Sequence, residues 1–161
     1  MTVSVVEMEL ADQIVESLAI SNRVTLYLLE ACTDACLSEV RPKGWGPFAQ
    51  FAHLHNVRLM WLDAAKVAHG LGKLETKQYA HLREELNTAL TASGDALVSL
   101  VTRLMAEGKR MPGFKPHTPG FVAYLVAHHA YHHAEIGVAC REIGHPIDKK
   151  HAFGMWEWGV R

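Results

Sequence analysis

His128 and His132 stand four residues apart in the stretch AYLVAHHAYHHAEIG, residues 123–137. On an α-helix that spacing sets both imidazoles on one face, one turn apart, where both can reach a single metal ion. Neutral imidazole is the commonest protein ligand for zinc and also suits nickel, copper and iron. Two ligands are too few for a tight site, and His53 is the candidate third. Three neutral ligands would leave a divalent ion its full charge and at least one open coordination position, the mark of a catalytic rather than a structural site. Such an ion lowers the pKa of a bound water to about 7 or deprotonates a bound thiol, so hydrolysis and thiolate transfer are both available.

The other histidines need weighing against this set. The chain has 11 in 161 residues, and five fall between His117 and His133. From His53, helical steps reach Val57, Met60, Ala64 and Val67, an apolar stripe. From His55 the same steps reach Leu59, Leu62, Lys66 and His69, a stripe that turns polar. Periodicity therefore points His53 inward. His128 and His132 share a stripe with Phe121, Leu125, Ala139 and Ile143. His129 and His133 form a second pair at the same spacing, beside Val122 and Cys140, and periodicity leaves the choice of pair open. A lone inward histidine is usually a hydrogen-bonded core residue. Several buried imidazoles without partners would cost about 1–3 kcal/mol each, a penalty that a shared ion removes.

Glu135 lies three residues past His132 and is a candidate to orient a ligand or accept a proton, with a surface carboxylate as the plainer reading. Arg58 is a candidate for binding an anionic substrate, and a salt bridge with an acidic neighbour is the preferred reading. Cys32 and Cys36 are also four apart and could bind metal or sense redox state. They read first as small apolar residues on a buried helix face, and an odd count of three with Cys140 argues against a disulfide scaffold.

Four long amphipathic segments must carry these residues. The first is expected over Met8–Ser38, bent or interrupted at Ser21-Asn22, and ends in the Pro/Gly-rich loop 41–47. The second is expected over Phe48–His69, stopping at Gly70 and Gly72. The third is expected over Thr76–Glu107, with Tyr79, Leu82, Leu86, Leu90, Leu97 and Leu104 at helical spacing and a weak point at Ser93-Gly94. The fourth is expected over Pro119–Ile143, ending at Gly144. A tail, His145–Arg161, carries Phe153, Met155, Trp156 and Trp158 and is too apolar to hang free, so it should pack on the bundle or in a subunit interface. No stretch alternates with period two. The expected fold is all-α, a four-helix bundle forming a single domain over residues 1–161.

Composition narrows the function further. Apolar residues make up 49 % and the net charge is −1, so nothing marks a nucleic-acid partner. No apolar run is long enough to span a bilayer, and the N-terminus has no basic, apolar leader, so a cytoplasmic location is expected. Neither a Gly-x-Ser-x-Gly elbow nor a phosphate loop occurs.

Two segments carry a family resemblance. One is His53-Leu54-His55-Asn56-Val57-Arg58-Leu59-Met60-Trp61-Leu62. The other is Tyr124–Ile136, where the family typically has a histidine, an acidic residue, two further positions, a histidine, then Arg-Gly-Gln-Ile. In these, and in the aromatic ending Ala152–Trp158, the chain resembles the DinB-like (DinB/YfiT) superfamily of metal-dependent enzymes, from about Ser21 onward. The resemblance implies a bundle of the DinB/YfiT type, with the divalent metal, often nickel or zinc, on His53, His128 and His132. It also implies frequent homodimers and, in some relatives, transferases or isomerases that use a low-molecular-weight thiol on a small-molecule substrate. The chain departs from the pattern at His129, where an acid is common, and at His133-Ala134-Glu135, which replaces Arg-Gly-Gln. The departures leave His129 and His133 as alternative ligands. A non-catalytic bundle that holds metal, or serves as an interaction module, is the competing reading.

Overall fold

The computed structural model describes residues 8–77 and 82–161. Six α-helices follow one another: α1 Leu10–Ala31, α2 Asp34–Ser38, α3 Pro47–Ala64, α4 Leu82–Ala106, α5 Thr118–Glu142 and α6 Lys149–Gly154. A 3-10 turn, Trp158–Val160, closes the chain. No strand occurs among the described residues. The four long helices pack so that α1 and α3 each touch both α4 and α5.

Helix ends fall where capping chemistry puts them, and this moves three expected boundaries. Ser21-Asn22 does not interrupt α1. Both are buried mid-helix, because their side chains find partners on neighbouring helices. The break comes instead at Cys32, in extended conformation, and Thr33, whose Oγ1 accepts from Cys36 N–H and starts α2. Helix α3 stops at Ala64 rather than His69. Lys66 N–H bonds Asp63 O, Val67 N–H bonds Leu62 O, and Lys66 takes φ 55°. This is the closure usually built on glycine, here made with a lysine. Beyond it, residues 67–75 run without helix, pinned by paired hydrogen bonds between Asn56 and the Leu74 backbone. Thr76 and Lys77 lie in a turn, and Tyr79 falls outside the described residues. Gly108 and Gly144, with φ 61° and 84°, end α4 and α5 as expected.

Helix α4 runs unbroken through Ser93-Gly94. A Cβ at Gly94 would sit 3.0 Å from Asn22 Nδ2, so the glycine is what lets α1 and α4 approach closely there.

The core has two apolar halves. One gathers Leu28, Leu37, Phe48, Phe51, Leu54, Leu86, Leu90 and Ile136. The other gathers Leu18, Leu59, Leu62, Leu97, Val101, Phe121 and Leu125. On every long helix a buried polar residue falls between the two: Ser21, Asn22 and Thr25 on α1, His55 and Arg58 on α3, Ser93 on α4, His129 and His133 on α5. A polar belt thus crosses the middle of the bundle.

The tail is partly seated. Tyr27 on α1 anchors it, with His151 against its ring, Arg161 stacked 3.8 Å from its centroid and Gly154 pressed against it. Met155 reaches the first apolar half, while Phe153 and Trp156 remain exposed.

Candidate metal centre

The structure brings His53, His128 and His132 together. Each offers a ring nitrogen, and the three nitrogens lie within 4.8 Å of one another. Ring centroids are separated by 5.6 Å for His53 and His128, 4.6 Å for His53 and His132, and 4.5 Å for His128 and His132. Helix α5 supplies two rings from consecutive turns, and α3 supplies the third across the α3–α5 contact. Around an ion with metal–nitrogen bonds of 2.0–2.1 Å, tetrahedral ligand atoms stand about 3.4 Å apart. Small side-chain rotations close the remaining gap, so the residues fit a divalent cation.

Electrostatics favours the same use. Burial lowers the pKa of all three rings, and for His132, where His128 and His53 add to the effect, it falls to about 4. All three are therefore neutral at pH 7, with lone pairs available. Gln50 fixes one of those lone pairs. His132 Nδ1–H donates to Gln50 Oε1 at 2.6 Å, which leaves Nε2 free to ligate. Gln50 is buried on α3, one turn before His53. Sequence reasoning missed it, since a glutamine at that place carries no spacing signal of its own. Trp45 covers one side of His53, with centroids 4.9 Å apart, and the exposed Tyr131 meets His132 edge-on. The triad lies at the surface of the bundle, half-buried at His53 and His128.

The remaining histidines belong to the polar belt. Periodicity points His53 rather than His55 inward, but His55 is 1 % exposed and His53 is the half-buried one. Lys66 and His69, which made the His55 stripe look polar, lie past the end of α3, and Met60 on the His53 stripe is exposed. His55 meets Gly72 O at 2.9 Å through Nε2, and Ser93 Oγ and Ala89 O, each at 3.0 Å, through Nδ1. His129 Nδ1–H donates to Ser21 Oγ at 2.8 Å, and its Nε2 faces Arg58 Nη2 at 3.5 Å. His133 Nε2–H donates to Thr25 Oγ1 at 2.8 Å. These partners turn His129 and His133 toward α1, away from the triad.

Arg58 does not form the expected salt bridge. It is fully buried, it donates Nη1–H to Leu90 O at 2.9 Å, and no carboxylate pairs with it among the described residues. Burial lowers its pKa to about 10, so it remains a cation at neutral pH. Its charge helps to lower the pKa values of His128, His129 and His133. Glu135 turns to Arg41, with its carboxylate 3.7 Å from Nη1, and stands outside the ligand cluster. Separately, a cavity of about 340 Å³ opens between α1, α5 and the tail, walled by Val24, Leu28, Val126, Trp156 and Trp158 with Ser21 and His133 as its polar groups. It shares no residue with the triad.

An all-helical chain with three imidazoles converging from two helices defines a class of helical proteins with a candidate metal centre. Residues 17–136 match the family model of the DinB superfamily, and the chain belongs to that family. No curated protein and no solved structure matches it.

Proposed function

We propose that this protein is a metal-dependent enzyme built on a DinB/YfiT-type four-helix bundle. His53, His128 and His132 hold a divalent cation, zinc or nickel, and one coordination position faces the surface. The observation that carries the reading is the convergence of three neutral imidazole nitrogens within 4.8 Å, one of them oriented by a buried glutamine.

When bound, the cation supplies a water or thiol of lowered pKa at neutral pH. The chain's own residues do the rest. Gln50 holds the His132 tautomer, Trp45 and Tyr131 shield the rings beside solvent, and the Arg58 charge makes the surroundings cationic. A site with neutral ligands and a buried guanidinium nearby favours an anionic incoming group. That supports transfer of a low-molecular-weight thiol, or hydrolysis, on a small substrate. The exposed Phe153, Trp156 and Val160 of the tail support a homodimer through that end. No described helix is long and apolar enough to cross a membrane.

Elemental analysis of the protein as isolated tests the centre. The expected result is about one equivalent of zinc or nickel per chain at the triad, with the metal content falling by that equivalent in His128→Ala while the fold is kept. A metal-free preparation that takes up neither ion overturns it. Chelation separates a catalytic ion from a structural one: the bundle should survive removal with its helicity intact, whereas collapse would point to a purely structural role.

A further inference from the structure

Cys32, Cys36 and Cys140 meet at a second place in the bundle. The sequence offers only the pair on the first helical segment, and the fold adds Cys140 from 104 and 108 residues away. Their sulfurs lie within 4.8 Å of one another. Cys36 Sγ and Cys140 Sγ are 3.2 Å apart, and Cys32 Sγ and Cys140 Sγ 3.9 Å. All three residues are at most 1 % exposed, and none is in a disulfide. The convergence depends on the break after α1. Cys32 is extended, Thr33 caps α2, and the five-residue α2 delivers Cys36 to the face of α5.

We infer that these three cysteines form a thiolate site for a soft divalent cation of the zinc–cadmium type, tying α2 to α5. Soft thiolate ligands select such ions. Around an ion with metal–sulfur bonds of about 2.3 Å, sulfurs stand about 3.8–4.0 Å apart, close to the spacing already present. Three mutual neighbours also fit an ion better than a disulfide, which would use two sulfurs and leave the third over. Binding replaces three thiol protons by the ion: three R–SH and M²⁺ give M(SR)₃⁻ and three H⁺. No oxidant is required. Arg83 lies nearby at the end of α1, where its guanidinium pairs with Asp34 and donates to the carbonyls of Leu29, Glu30 and Cys32. No substrate path is needed, because Leu28, Leu37, Phe51 and Ile136 close the site in. It shares no residue with the histidine triad, so either site can fail without the other.

The test uses the full chain, reduced, metal-free, and carrying His53→Ala with His128→Ala to silence the triad. Cadmium is titrated in, and ultraviolet thiolate-to-metal charge transfer and proton release are both followed. The expected result is a band that saturates at about one cadmium per chain, with release of up to about three protons. Cys140→Ser should abolish the band, and Cys36→Ser does the same if the first variant fails to fold. A folded, reduced protein that gives no band overturns the inference. So does a band that persists unchanged in both serine variants.

Discussion

Gln50→Ala is the sharpest test of how the candidate centre is built. The mutation removes the acceptor that lies 2.6 Å from His132 Nδ1 and leaves the ring free to turn. It touches no ligand atom and leaves His53 and His128 in place. Loss of such an orienting partner typically costs 10–100-fold in metal affinity, or about 1.4–2.7 kcal/mol. Without metal, the same change leaves one buried N–H unpaired and should lower stability by about 1–3 kcal/mol. The assay is calorimetric titration of metal-free protein with zinc and with nickel, beside urea unfolding of the same samples. Gln50→Glu provides the converse: a carboxylate accepts more strongly from the imidazole and should retain or raise affinity. If Gln50→Ala binds both ions within twofold of the parent while its unfolding stays cooperative, the orienting role is refuted.

Other outcomes follow from the rest of the molecule. The belt histidines His55, His129 and His133 have pKa values lowered first by burial, that of His133 to about 3. Since the unfolded chain takes up protons near 6.5 and the folded chain does not, stability is complete above that pH and falls as pH drops toward the folded values. His133, with its folded value far below 6.5, contributes a slope of up to about 1.4 kcal/mol per pH unit, and His55 and His129 act in the same direction. Urea unfolding of metal-free protein at pH 7, 6 and 5 measures it, and a flat profile would contradict the burial of these rings. Arg58→Ala should cost about 2–5 kcal/mol, because it empties a buried volume and removes the side-chain donor to Leu90 O; thermal unfolding reads this directly. Gly154→Ala drives a Cβ into the Tyr27 ring and should loosen the tail, seen as faster proteolysis after residue 148 with the helical content unchanged.

What could be read from the residues alone divides by the range of the interactions involved. Local periodicity gave the four long helices, and Gly108 and Gly144 marked two of their ends, because a left-handed terminal residue is visible as glycine. The end of α3 was not visible, because Lys66 adopts that conformation without being glycine. Ser21-Asn22 looked like a weak point since short polar side chains disfavour helix interiors in isolation. Their partners, His129 and Gly94 O, lie on other helices and compensate for that. The four-residue step offers His128 with His132 and His129 with His133 alike, and only the family register selects the first pair, whereas helical periodicity points to His53. Gln50, the unpaired burial of Arg58 and the meeting of Cys140 with Cys32 and Cys36 arise only when α1, α3 and α5 are laid side by side.

The belt has a mechanical consequence for the centre. Apolar surfaces tolerate axial slip, since one leucine can replace another in a groove. A hydrophilic cross-section does not: moving α5 by one turn, about 5.4 Å, against α1 and α3 would strand the imidazoles of His129 and His133 and the Arg58 guanidinium among hydrocarbon. These groups act as a key in a lock bar, holding α3 and α5 at one longitudinal alignment. The same alignment sets His53 opposite the two rings of α5, so the interior polar residues, which never meet a ligand, determine whether the outer three can share one.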